Sequence, residues 1–242
     1  MSQAEPKSVG ILTTGRVNPA LIDRFGEYGA LFCKLLGPDR FLYRNYMVLD
    51  GELPASIEEC DAWLVTGSRH GAYEDHPWIA PLERFIRALR EAAKPLVGIC
   101  FGHQIIAQAL GGKVVKFDGG WGLGVLQYSH YQHTDPVYAL AVHQDQVVAQ
   151  PPCSKTIMSS EFCQHAALSY HQPDGVEWAR TYQFHPEFSP QWVSALIEAL
   201  EGKSFDVDTV ARGRLSLESV DDIQLASSAI GAEIADFLDG SI

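Results

Sequence analysis

The 242-residue sequence predicts an alternating α/β fold, a mostly parallel central sheet flanked by helices. Three observations point there. Short apolar runs of strand length alternate with segments whose apolar residues recur at helical spacing. A cysteine, Cys100, stands between one such run and one such segment, with Gly98 two residues before it and Gly102 two after. No repeat, low-complexity tract or linker interrupts the chain, so a single domain over 1–242 is expected, its core over about 9–200.

The elements follow in order. Val9 to Thr13 is an apolar strand. Asn18-Pro19 supplies an N-cap and a first-turn proline, opening one helix through Leu21, Phe25, Tyr28, Phe32 and Leu35. Phe41–Leu49 and Ala62–Thr66 read as strands. Pro77–Ala92 is a helix with Trp78, Leu82, Phe85 and Leu89 on one face. Leu96–Ile99 is a short buried strand. After Cys100 the residues Phe101, Ile105, Ile106, Ala109 and Leu110 mark a helix that Gly111-Gly112 stops.

From 113 to 184 the texture changes to an added β region with short runs at Lys113–Phe117, Gly124–Tyr128, Val137–Val142 and Val176–Phe184. A helix returns at Pro190–Glu201. A C-terminal helical extension over about 203–242 carries Val220, Ile223, Ile230, Ile234 and Phe237 on an apolar stripe, with Ser219 and Asp222 as its cap. Asp221, Asp222, Glu233 and Asp236 mark its wet face. A stripe of that size must be covered. It packs on its own domain in the preferred reading; a homodimer or a docked partner protein is the alternative.

Composition excludes several classes. At 46% hydrophobic and 20% charged the chain is ordinary globular protein. A formal charge of −12 argues against nucleic acid, whose phosphates need a basic face. The start, MSQAEPKSVGILTTG, has too short an apolar run for a signal peptide, and no segment approaches a membrane span. Five cysteines, odd in number and without C-x-x-C, read as free thiols in a reducing, cytoplasmic setting.

Cys100 carries the chemistry. A residue on a sharp strand-to-helix turn projects its side chain clear of the sheet's carboxyl edge, where open α/β sheets bind ligands. Glycines flank it because the turn is tight. The helix N-terminus behind it presents unpaired N–H groups and the positive end of a dipole, which favour a thiolate and can hold an oxyanion. A nucleophile needs a base, and YQFHPEF at 182–188 offers one: in an extended segment His185 and Glu187 point to the same side, so Glu187 orients the imidazole.

The motifs GICFGHQ and QFHPE together resemble those of the class I glutamine amidotransferase family, over about residues 9–200. The resemblance implies a flavodoxin-like amidotransferase fold and a Cys100–His185–Glu187 triad that attacks a γ-glutamyl amide. A thioester forms, ammonia or an amine leaves, and water releases glutamate. It further implies oxyanion N–H groups from Phe101 and from Gly67 in Thr66-Gly67-Ser68, although the family usually carries proline where Ser68 stands. Gln104 is implied at the substrate's glutamyl end, and VHQDQV at 142–147 brings His143 and Gln144 as substrate-side residues. WGLGV and HQDQV are most similar to the amidotransferase half of guanylate synthetase.

No G-x-x-x-x-G-K-[ST] and no ATP-pyrophosphatase loop are present, so no cofactor is expected. The substrate is glutamine or another γ-glutamyl small molecule. Two enzyme readings stand: a stand-alone hydrolase, or a glutaminase subunit feeding ammonia to a separate synthetase. The remaining alternatives are a cysteine-elbow peptidase or chaperone and a non-catalytic glutamine sensor. His130 and His133 lack a third ligand, so no metal is expected; GGWGLG at 119–124 reads as a β-turn. Cys33 and Cys60 are structural, and Cys163 with His165 is expected on an exposed loop.

Overall fold

A computed structural model describes residues 5–132, 134–218 and 223–241. The strands are β1 (Ser8–Thr13), β2 (Leu42–Met47), β3 (Ala62–Val65), β4 (Leu96–Ile99), β5 (Lys113–Lys116), β6 (Gly122–His130), β7 (Val137–His143), β8 (Asp145–Ala149), β9 (Ser154–Ser159), β10 (Ala167–His171) and β11 (Glu177–Tyr182). The helices are α1 (Pro19–Phe25), α2 (Tyr28–Leu36), α3 (Ile79–Glu91), α4 (Phe101–Ala109), α5 (Pro190–Leu200), α6 (Val207–Glu218) and α7 (Ile223–Asp239). None of the described helices is long and apolar enough to cross a membrane.

Nine strands form one sheet in the order β2-β1-β3-β4-β11-β10-β9-β6-β7. The first five are parallel. The last four continue it antiparallel. β5 and β8 make a separate antiparallel ribbon. The parallel half matches the expected fold, with its central strands β3 and β4 buried on both faces and near-continuously apolar, as helix-covered parallel strands are. One apolar cluster, around Trp63, Leu82, Ile86, Phe101 and Ile105, lies beneath α3 and α4. Another, around Val9, Phe32, Leu64 and Val97, is shared with Ile230, Ile234 and Phe237 of α7.

Several boundaries differ from the sequence reading, each for a local reason. The single helix expected after Asn18 is two, because Gly26 adopts φ 80°, ψ −175° and caps α1. Asn18 does cap it, accepting the Ala20 N–H at 3.1 Å. On α3 the buried face runs through Ile79, Leu82, Ile86 and Leu89, with Phe85 only half-buried. The strands β8, β9 and β10 were not anticipated, and the expected C-terminal helical extension consists of two helices, α6 and α7. Asp118 and Gly119 form a turn, and Gly122 to Gly124 of the turn expected over 119–124 belong instead to β6.

The C-terminal stripe is covered by the chain itself: Ile223, Ile230, Ile234, Phe237 and Leu238 are all buried, and α7 lies along α2. Glu233 and Asp236, expected on the wet face, are half-buried and ion-paired to Arg180 and Arg40. The other residues of that expectation, Ser219, Val220, Asp221 and Asp222, lie outside the described residues.

Candidate active site

Three neighbouring strands of the sheet, β3, β4 and β11, run parallel and stop at one edge. Val65 pairs with Gly98 and Ile99 with Tyr182. The residues that follow each strand end are therefore brought together by register alone. Gly67 follows β3, Cys100 follows β4, and His185 follows β11.

Cys100 sits at φ 53°, ψ −103°, a left-handed conformation that non-glycine residues rarely adopt. Such a residue stores about 1–3 kcal/mol, which the surrounding structure must hold. Here the hold is visible. The Cys100 N–H donates to the Tyr182 carbonyl at 2.8 Å, tying the elbow to β11. A Cβ on Gly98 would stand 2.6 Å from the Gly102 carbonyl, and one on Gly102 would stand 2.2 Å from the Val65 carbonyl oxygen. The flanking glycines are thus required by close backbone approach, as the sequence suggested. Cys100 itself is 5% exposed.

His185 is buried, and its Nδ1 lies 2.7 Å from Glu187 Oε1. The pair is not extended as expected: His185 to Phe188 forms a turn, with the Phe188 N–H reaching the His185 carbonyl at 3.4 Å. The turn delivers the same adjacency. The His185 ring stacks on Phe188 at 4.1 Å and 8°, and Phe188 stacks in turn on Trp192. Burial alone would lower the His185 pKa. The Glu187 carboxylate and the hydrogen-bonded Cys100 thiol outweigh it and raise the pKa to about 10. The imidazole therefore stays protonated beside the sulfur. Glu187 Oε2 is buried with no hydrogen-bond partner among the described residues.

A Cβ built on Gly67 would lie 3.0 Å from His185 Cε1 and 3.6 Å from Cys100 Cβ, so Gly67 shares the site. Among the described residues, neither the Gly67 nor the Phe101 N–H has a hydrogen-bond acceptor. Both remain free to serve a negative oxygen. Thr14 and Thr66 hold the turn, the Thr14 hydroxyl donating to the Thr66 carbonyl at 3.0 Å.

The substrate-side residues of the sequence reading are each engaged within the protein. Gln104 is buried and gives its amide to the Asp145 carbonyl at 3.0 Å and to Gln183 Oε1 at 3.2 Å. His143 is buried, and its Nδ1 lies 3.2 Å from the Asp145 carbonyl. Burial lowers its pKa to about 4, so it is neutral and Nδ1 carries the proton. Its Nε2 has no partner among the described residues. Gln144 is half-buried and donates to the Phe117 carbonyl at 3.3 Å.

Behind the elbow lies a buried polar layer that the sequence reading missed. His103 Nδ1 meets Thr181 Oγ1 at 2.8 Å, while Gln104 meets Gln183, so α4 is pinned to β11 and its extension. The signal was available: polar residues on the core face of the apolar helix 101–109. Cys163 and His165 are a correction. Both are buried, and burial pushes the Cys163 thiol up to about 12. His130 is also buried; His133 lies outside the described residues.

Fold and site define an open α/β protein with a cysteine at the elbow and a histidine–carboxylate pair against it. The family described as glutamine amidotransferase class-I matches residues 55–197, a span that holds Gly67, Cys100, His143, His185 and Glu187. The chain belongs to the class I glutamine amidotransferase family and is an enzyme of that kind. Gamma-glutamyl peptidase 4 of Arabidopsis thaliana is 32% identical over 150 residues, 56% of this chain and 60% of that protein. The glutamine-hydrolysing GMP synthase of Pyrobaculum aerophilum is 32% identical over 142 residues, 56% of this chain and 26% of that protein. A crystal structure of a glutamine amidotransferase from Thermotoga maritima superposes with a TM-score of 0.74 at 21% identity, covering 96% of this chain and 98% of that one. That likeness concerns the fold.

Proposed function

We propose that the chain is a stand-alone hydrolase of γ-glutamyl amides or peptides that uses Cys100 as nucleophile, His185 as base and Glu187 as orienter. The convergence of Gly67, Cys100 and His185 at the ends of three adjacent parallel strands carries this reading. The Cys100 sulfur, its proton already held by His185, attacks the γ-carbonyl carbon. The oxyanion is met by the Gly67 and Phe101 N–H groups, each such donor being worth about 3–4 kcal/mol in the transition state. The C–N bond breaks as His185 protonates the leaving amine, and a thioester remains. Neutral His185 then takes a proton from water, whose oxygen attacks the thioester carbon. Glutamate leaves, and the Cys100 sulfur is restored beside protonated His185. Gln104 and His143 serve the glutamyl end, the His143 Nε2 accepting a hydrogen bond from a substrate N–H.

The similarity to gamma-glutamyl peptidases favours release of glutamate from a peptide-like amide. A second reading, delivery of ammonia to a separate synthetase, is favoured by the similarity to GMP synthase. Purified protein offered glutamine and a panel of γ-glutamyl dipeptides decides between them. Glutamate release from dipeptides by the chain alone supports the hydrolase; silence on every substrate without a partner supports the subunit. A glutamine-mimicking diazo-ketone should add one equivalent of mass on Cys100, and Cys100→Ala should lose both label and turnover. Label on Cys33, Cys60, Cys153 or Cys163 would overturn the assignment of the nucleophile.

A further inference from the structure

The loop between β3 and α3 gathers a second chemically active group. His70, Glu74 and His76 each place one ligand atom within 4.8 Å of the others. Glu74 Oε2 lies 3.3 Å from His70 Nδ1 and 2.6 Å from His76 Nε2. All three side chains reach solvent, exposed by 22%, 41% and 31% in chain order. None belongs to the thiol site, and the H-x-x-x-E-x-H spacing was not singled out in the sequence.

We propose that His70, Glu74 and His76 form a binding site for a zinc ion, with water completing the tetrahedron from the solvent side. Two imidazole nitrogens and one carboxylate oxygen suit zinc, whereas calcium and magnesium prefer oxygen cages. With zinc bonds of about 2.0–2.1 Å, tetrahedral ligand atoms stand about 3.3 Å apart. The His70–Glu74 separation already has that value. The His76–Glu74 contact, now a hydrogen bond, opens by the difference between 3.3 and 2.6 Å. The ion takes the place of the hydrogen bonds to Glu74, and each ring binds it through a neutral nitrogen lone pair.

The loop is held in shape without the ion. The His76 ring lies parallel to buried Trp78, at an interplanar angle of 6°. The His70 N–H donates to Ser68 Oγ at 3.2 Å, and the Glu74 N–H to the Gly71 carbonyl at 3.0 Å. Ligand rings fixed by their surroundings are what a metal site needs. Bound zinc would tie the segment that leads out of Gly67 to the start of α3, where Trp78 stands 5.4 Å from Phe101.

The test uses the full chain with Cys100→Ala and Cys153→Ala, which remove the thiol of the candidate active site and the exposed thiol, stripped with a chelator and titrated with Co²⁺. One equivalent should bind with visible absorption and no thiolate charge-transfer band, and Zn²⁺ should displace it. Glu74→Gln, a shape-conserving change at a half-exposed position, and His70→Gln should each weaken binding tenfold or more. Zn²⁺ should raise the thermal midpoint of the parent and not of these variants. No saturable cobalt spectrum would overturn the site and leave the cluster as a pair of hydrogen bonds. So would a thiolate band, or parent-like binding by both variants.

Discussion

Gly102→Ala tests the elbow directly, because two effects of opposite sign meet at that position. Gly102 lies in the first turn of α4, where alanine is favoured over glycine by about 1 kcal/mol on propensity. The added methyl, however, would lie 2.2 Å from the Val65 carbonyl oxygen and 2.9 Å from its carbon. Those are backbone atoms of a fully buried strand, with no side-chain rotation to relieve the contact. Overpacking of this kind costs about 1–3 kcal/mol, and the upper end applies where backbone meets backbone. The net expectation is a loss of about 2 kcal/mol, or about 4–8 °C in thermal midpoint for a chain of this size. Relief must come from moving α4 away from β3, which separates Phe101 from Gly67. A displacement near 1 Å between reacting groups costs about 100-fold in rate, so glutamate release should fall by that order. Calorimetry and steady-state turnover on the same preparation read both effects. A variant as stable as the parent or more so, with unchanged turnover, would refute the close-approach argument.

Three further outcomes are expected. His185 carries a pKa raised from 6.5 to about 10, so its ion pair contributes stability that is full below pH 6.5 and lost as pH rises through about 10. The difference in unfolding free energy between the parent and His185→Gln should therefore shrink across that interval; a difference flat in pH would contradict the raised value. Ile234→Ala, at a site 1% exposed on the buried face of α7, should destabilise by about 2–5 kcal/mol in denaturant unfolding, and an unchanged midpoint would show that α7 does not bear on the core. A disulfide reagent applied to native protein should modify exposed Cys153 and spare buried Cys163 until unfolding; equal rates at the two thiols would contradict their placement.

The parallel half of the fold was readable because its signals are local. The Leu96–Ile99 run, the glycines around Cys100 and the apolar spacing of 101–109 each name their element without reference to distant residues. The site was readable for the same reason, since both motifs lie within a few residues of strand ends. The antiparallel half was not. β9 reads SKTIMS and β10 reads ALSYH, short strands whose burial comes from neighbours far along the chain. Cys163 shows the same limit: it stands among polar residues in sequence, yet Ser160 Oγ and the packing of β9 and β10 enclose it. The helix α6 has only Thr209, Val210 and Gly213 buried, too few to produce a periodic signal. It is placed by fit: Gly124, at φ 92°, admits Gly213 and Ser216 against β6, and the Val125 N–H bonds Ser216 Oγ at 2.9 Å.

The insertion of β11 between β4 and β10 has a kinetic side. The slot beside β4 is filled by a strand about which the chain must close a long loop; the His103–Thr181 contact spans 78 residues. Long-range parallel pairing of this kind is slow relative to local helix and hairpin formation. Cys100 is thus made, and its helix can form, well before His185 arrives to meet it. Through that interval the thiol has neither His185 beside it nor the Tyr182 carbonyl that locks its turn. In refolding, protection of the Cys100 thiol from rapid alkylation should therefore develop with the slowest phase, together with the first glutamate release, and after helical circular dichroism has recovered. Protection that matched the helical signal in time would place the β4–β11 closure early instead.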